Sequence, residues 1–95
     1  MINNRLVMEL GEKRKICIKV YSKKNDVFIL QSAKVSLYRL KNNVLEKEAE
    51  CVSSIEDTNV YTEIKPQNSG YYLLKVIMEI ADEQIIKKFS LVVND

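Results

Sequence analysis

Three carboxylates, Glu46, Glu48 and Glu50, recur at every second position, and a thiol, Cys17, stands between Lys15 and Lys19 with the same spacing. If the acidic segment is extended, its carboxyl groups line one solvated face about 6.5–7 Å apart, a separation that acid–base cleavage of a glycoside can use. Two ammonium groups beside a thiol favour the thiolate, the nucleophilic form of cysteine. Neither pattern has the rest of a catalytic apparatus. The 95 residues include no histidine, which removes Ser-His and Cys-His nucleophile pairs, the commonest metal ligand and the side chain best suited to proton transfer near neutral pH. With only two glycines there is no Gly-rich phosphate loop, and Cys17 and Cys51 lack zinc-ligand spacing. The loop acids Glu12, Asp26, Asp57, Asp82 and Glu83 do not follow a calcium-loop pattern. The expectation is a protein that is not an enzyme and carries no cofactor, metal or small-molecule substrate. The glutamates then read as charges that protect a strand edge, and Cys17 as a structural thiol.

Lys13, Arg14 and Lys15 with Lys19, Lys23 and Lys24 form a basic patch whose only aromatic is Tyr21. A nucleic-acid groove interleaves more stacking residues, and the net charge of +2 is small, so no nucleic-acid partner is expected. Charge is nonetheless uneven. The basic residues up to Lys41 are opposed only by Glu9, Glu12 and Asp26, whereas from Asn42 to Glu63 six carboxylates are opposed only by Lys47. Such a distribution suits either head-to-tail association or pairing within one chain.

Length bounds the chain to one domain over residues 1–95, and 46 % apolar with 29 % charged residues is a globular balance. The first residues lack the apolar stretch of a signal peptide, and no apolar run is long enough to cross a membrane. A cytoplasmic protein is the expectation. Two cysteines do not make a disulfide framework, so both are expected to be free.

Alternation with a period of two dominates, which predicts strands. Arg5 to Leu10 is the first, closed by Gly11. In Lys15 to Tyr21, Ile16, Ile18 and Val20 share an inward face. After the polar link from Ser22 to Asp26 come the short run Val27 to Leu30 and then Ala33 to Tyr38, ending at a Lys41-Asn42-Asn43 turn. Val44 to Val52 reads as a strand, with a short helix as the alternative because Leu45 to Glu50 are helix formers throughout. Ser53 to Asn59 reads as a polar link and Val60 to Ile64 as a strand stopped by Pro66. Tyr71 to Ala81 and Gln84 to Val93 form a hairpin across Asp82-Glu83. About seven strands with frequent turn signals predict an all-β antiparallel sandwich.

The segment Asn68-Ser69-Gly70-Tyr71-Tyr72-Leu73-Leu74 resembles the corner that leads into strand F of immunoglobulin-like domains. Tyr72 falls at the corner tyrosine, Gly70 at a backbone position that a side chain would crowd, and Leu74 where antibody domains carry their second cysteine. Tryptophan is absent, so the antibody hallmarks are missing. With Gly11 before Lys15 to Tyr21 and Ala33 before Val35, most of the chain resembles the disulfide-free immunoglobulin-like domains of bacteria and phages. That resemblance implies a virion component, such as a tail or baseplate accessory subunit.

If Tyr72, Leu74, Val76, Met78 and Ile80 face the core, Tyr71, Leu73 and Ile77 face out. On the last strand, inward Ile85, Phe89, Leu91 and Val93 leave Ile86 and Val92 outside. With Tyr38 and Leu40 added, the outer face of the C-terminal strands is more apolar than a solvated sheet needs. Tyr38, Tyr71, Leu73, Ile77, Ile86 and Val92 are therefore the expected partner interface, for another copy or another virion subunit, the alternative cover being the chain's own N-terminal segment. The alternative is a soluble module that recognises a carbohydrate or protein through its loops, with Tyr61 and Phe28 as spare aromatics.

Overall fold

A computed structural model describes residues 5–21 and 27–95. They form eight strands and no helix: β1 (Arg5–Glu9), β2 (Arg14–Lys19), β3 (Leu30–Lys41), β4 (Val44–Cys51), β5 (Ser53–Glu56), β6 (Asn59–Ile64), β7 (Gly70–Ile80) and β8 (Glu83–Asn94). Two sheets pack on each other. One has the order β1-β8-β7-β3-β4, the other β2-β6-β5. Neighbours are antiparallel except β1, which runs parallel to β8 from the Arg5–Ser90 pair to the Glu9–Asn94 pair. Among the described residues no helix is long and apolar enough to cross a membrane.

The core lies between the sheets, built from the inward residues of alternating strands. Val35 and Leu37 of β3 meet Val76 and Leu74 of β7 in register, and Val60 and Ile64 of β6 close over them from the smaller sheet. Met8, Leu91 and Val93 complete it on the β1–β8 side. Ile16, Ile18 and Val20 are only half-buried against this cluster, because β2 is an edge strand.

Four sequence expectations change. The link Ser53 to Asn59 contains β5, giving eight strands rather than seven; it pairs with β6 across Asp57-Thr58, where Asp57 has φ 55°. The long hairpin turns at Ala81-Asp82, one residue earlier than expected, with Ala81 at φ 54°. Of the run Val27 to Leu30 only Leu30 is in a strand; it is buried, whereas Val27 and Ile29 are exposed. The segment from Val44 is a strand and not a helix, yet its glutamates do not share a face. Tyr38 pairs with Lys47 but Leu37 pairs with Ala49, so Glu48 is the extra residue of a β-bulge. Beyond that bulge the parity flips: Glu50 lies opposite Ser36 on the outer face, and Glu46 opposite Arg39 on the inner. The expected link Ser22 to Asp26 lies outside the described residues.

At Val52 the chain leaves the larger sheet for the smaller. Two side chains hold this crossing: Ser53 Oγ donates to the Ala33 carbonyl (3.0 Å) and buried Thr62 Oγ1 donates to the Val52 carbonyl (2.9 Å). Turn residues Asn42 and Asn43 both take positive φ, 53° and 63°, which suits the short polar amide side chain.

Candidate protein-interaction face

The outer face of the five-stranded sheet is positioned by the register of its strands. Val7 of β1 lies opposite Val92 of β8, and Val92 opposite Tyr71 of β7. Leu40 of β3, one residue past the Arg39–Tyr72 pair, falls beside Tyr71, and it lies opposite Leu45 of β4. An apolar row thus crosses all five strands near one end of the sheet. Its members face solvent: Tyr71 is 59 % exposed, Val7 50 %, Leu45 48 % and Leu40 42 %. The next row adds the directly opposed pair Tyr38 and Leu73, both half-buried. Leu40, Leu45, Tyr71, Leu73 and Val92 line one shallow depression of about 220 Å³ on this face.

The next rows toward the other end are charged. Lys75 and Lys88 are directly opposed, and the Lys75 ammonium lies 6.0 Å from the centroid of the Tyr38 ring, a cation–π distance. Glu50, opposite Ser36, receives Lys34 at 3.2 Å and also Lys47; these two cations hold its carboxyl below the usual carboxylate range. Beyond the lysines, Ile77 and Ile86 form a separate pair about 13 Å along the strand from Leu73. The structure therefore brings together Tyr38, Tyr71, Leu73 and Val92 and sets Ile77 and Ile86 apart. Val7 and Leu45 join the face without having been expected there. Val7 alternates outward between Arg5 and Glu9, but only the strand order places it beside Val92. Leu45 reaches this face through the parity flip at Glu48.

One end of the face is braced by the Gly70–Tyr72 corner. Tyr72 is 4 % exposed, and its hydroxyl lies 2.8 Å from the Asn68 carbonyl oxygen and 2.9 Å from Glu48 Oε1. One proton cannot serve both acceptors fully, so the hydroxyl shares it while accepting from the Asn68 N–H at 3.2 Å. Glu48 also accepts from Asn68 Nδ2 (3.1 Å) and from the Gln67 N–H (3.3 Å). The bulge that removes Glu48 from the ladder thus aims it at the corner. Burial and the neighbouring Glu48 carboxylate push the Tyr72 hydroxyl up to about 12. Arg39 Nη2 donates to the Ser69 carbonyl at 3.3 Å, from the strand opposite Tyr72. Leu74 is buried two residues on. Gly70 is not crowded: a Cβ there meets nothing within 4 Å, and its φ of 127° is what demands glycine.

The remaining candidate chemistry is dispersed. Lys15, Cys17 and Lys19 share the exposed face of β2, whereas Cys51 is half-buried; both thiols are free, and burial pushes the Cys51 thiol up. Lys13 bridges Glu63 at 3.2 Å, so part of the basic and acidic halves pairs within the chain. Tyr61 lies opposite Cys17 on the outer face of the smaller sheet, while Phe28 lines a hollow with Val20, Tyr21 and Ile80. Among the described residues no three His, Cys, Asp or Glu side chains group as metal ligands. The chain matches no protein-family model, and no curated protein matches it in sequence.

Proposed function

We propose that this chain is an immunoglobulin-like structural module that associates with protein through the outer face of its larger sheet, as an accessory subunit of a phage or prophage virion. The observation that carries the association is the apolar row Val7, Val92, Tyr71, Leu40 and Leu45. A solvated antiparallel face alternates to polar residues, and a contiguous apolar row across every strand marks a covered surface. Tyr38 and Leu73 extend it to a second row. Two features support the immunoglobulin-like reading. The order β8-β7-β3-β4 facing β2-β6-β5 matches the arrangement in which strands G, F, C and C′ face B, E and D. The Tyr72 hydroxyl bonds the backbone four residues upstream at the start of its strand, as a corner tyrosine does. The virion assignment rests on the resemblance of the sequence alone.

Analytical ultracentrifugation tests the association. The purified chain is expected to sediment above its 11.0 kDa monomer mass as concentration rises. Leu73→Lys and Tyr71→Lys should return it to monomer with the fold intact by circular dichroism. A wild-type monomer at millimolar concentration, together with no change in either variant, overturns self-association. Co-purification of neighbouring tail or baseplate proteins, lost in the same variants, supports a virion partner, and binding retained in them overturns this face as the contact.

A further inference from the structure

We infer that the edge of β2 left unpaired among the described residues is a strand-addition site for an extended, acidic segment of a partner polypeptide. Val20 N–H donates to the Thr58 carbonyl at 3.0 Å, and the β2–β6 register continues from there through Ile18–Val60, Ile16–Thr62 and Arg14–Ile64. In an antiparallel ladder, hydrogen-bonded pairs alternate with non-bonded ones, so the even-numbered residues bond β6. Lys15, Cys17 and Lys19 then direct their N–H and C=O groups away from it. β2 ends its sheet, and among the described residues no backbone hydrogen bond reaches these three. They form a row of three donors and three acceptors ready for another strand.

Beside this edge the two sheets part. A groove of about 500 Å³ runs between β2 and the β1–β8 pair, floored by Leu6, Ile16, Ile18 and Phe89. An added strand would place every second side chain on that apolar floor. The alternate side chains would project beside Lys15 and Lys19. Among the described residues the groove is lined by Arg14, Lys15 and Lys19 and by no carboxylate. Glu12 pairs with Arg14 (3.2 Å), and Glu63, opposite Lys15, bridges Lys13 instead. This leaves Lys15 and Lys19 without an ion pair among the described residues. The occupant that satisfies backbone, floor and rim together is a strand of about six residues, apolar at alternate positions and acidic between them. A second β2 related by a twofold axis is disfavoured, since Lys15 and Lys19 of the two copies would face one another. This site is separate from the outer face of the larger sheet, and neither depends on the other.

The probe is a capped seven-residue peptide alternating valine and glutamate, with a valine–lysine peptide as control. Amide exchange read by NMR should slow at least tenfold at Lys15, Cys17 and Lys19 when the acidic peptide is added. The lysine peptide should bind at least tenfold more weakly. In the K15E/K19E double variant, whose changes are both on exposed side chains, this preference should reverse. Unchanged exchange at the three amides, protection at β1, β4 or β5 instead, or equal binding of the two peptides overturns the inference. Protection of the same amides that grows with protein concentration alone assigns the edge to a second copy and overturns a separate partner.

Discussion

Replacing Tyr72 by phenylalanine removes the part-buried hydroxyl that ties the sheet edge to the corner. The ring stays in the core, and only the hydroxyl is lost. That hydroxyl has one proton to share between the Asn68 carbonyl at 2.8 Å and Glu48 Oε1 at 2.9 Å. A neutral hydrogen bond is worth about 0.5–1.5 kcal/mol and one to a charged group about 1.5–3, so Tyr72→Phe should cost about 1.5–3 kcal/mol. For a chain of this size, each kcal/mol moves the melting temperature by about 4–8 °C. Urea unfolding followed by far-ultraviolet circular dichroism is the appropriate assay, because the chain has no tryptophan and the substitution removes one of its five tyrosines. A pH arm sharpens the test. The hydroxyl titrates near 10 when unfolded and is pushed up to about 12 when folded. Folding therefore holds the proton more tightly, and this contribution is complete below pH 10 and lost as pH rises from 10 through 12. At about 1.4 kcal/mol per pH unit, its ceiling is near 3 kcal/mol. The wild type should lose stability over that window faster than Tyr72→Phe, while Glu48→Gln should show a coupling with Tyr72→Phe above about 0.5 kcal/mol in a double-mutant cycle. A loss below about 0.5 kcal/mol in Tyr72→Phe, or identical alkaline slopes, would refute the reasoning.

Other outcomes follow from packing and backbone geometry. Leu37→Ala, at a position 1 % exposed, should cost about 2–5 kcal/mol in chemical denaturation, whereas Leu45→Ala on the outer row should cost less than about 1. Gly70→Ala should destabilise by more than about 1 kcal/mol through its φ of 127° alone, since nothing obstructs the added methyl; a neutral result in the same assay would contradict this. Ala81 occupies the first central position of a two-residue hairpin turn at φ 54°, where glycine is favoured, so Ala81→Gly should raise the thermal midpoint by a few degrees, equivalent to about 0.5–1 kcal/mol.

The long hairpin was legible because Tyr72, Leu74, Val76 and Met78 alternate strictly with outward residues, and strict alternation has one inward solution. β5 was hidden because Ser53-Ser54-Ile55-Glu56 offers one apolar residue in four; it is a strand because β6 pairs with it. The acidic strand misled for a different reason. Period-two reasoning assumes an unbroken ladder, and the bulge at Glu48 moves Glu46 and Glu50 to opposite faces. The outer face was half legible: side-chain parity gave Tyr71, Leu73 and Val92, but the order of strands that joins Val7 and Leu45 to them is a tertiary fact. Lys75 and Lys88, which separate Ile77 and Ile86 from the rest, act through a cross-strand register that no single strand records.

The parallel pairing of β1 with β8 has a mechanical consequence. Tension applied between Arg5 and Asn94 pulls β1 back along its own axis and β8 forward along its own, so the two strands are asked to slide past each other. Every bond of the ladder, and the Leu10–Asn94 backbone bond at 2.7 Å beyond it, is then loaded at once instead of opening one after another. Such a shear clasp yields only when the whole patch fails together, and its lifetime under load is set by the barrier to unfolding rather than by the equilibrium stability of the fold.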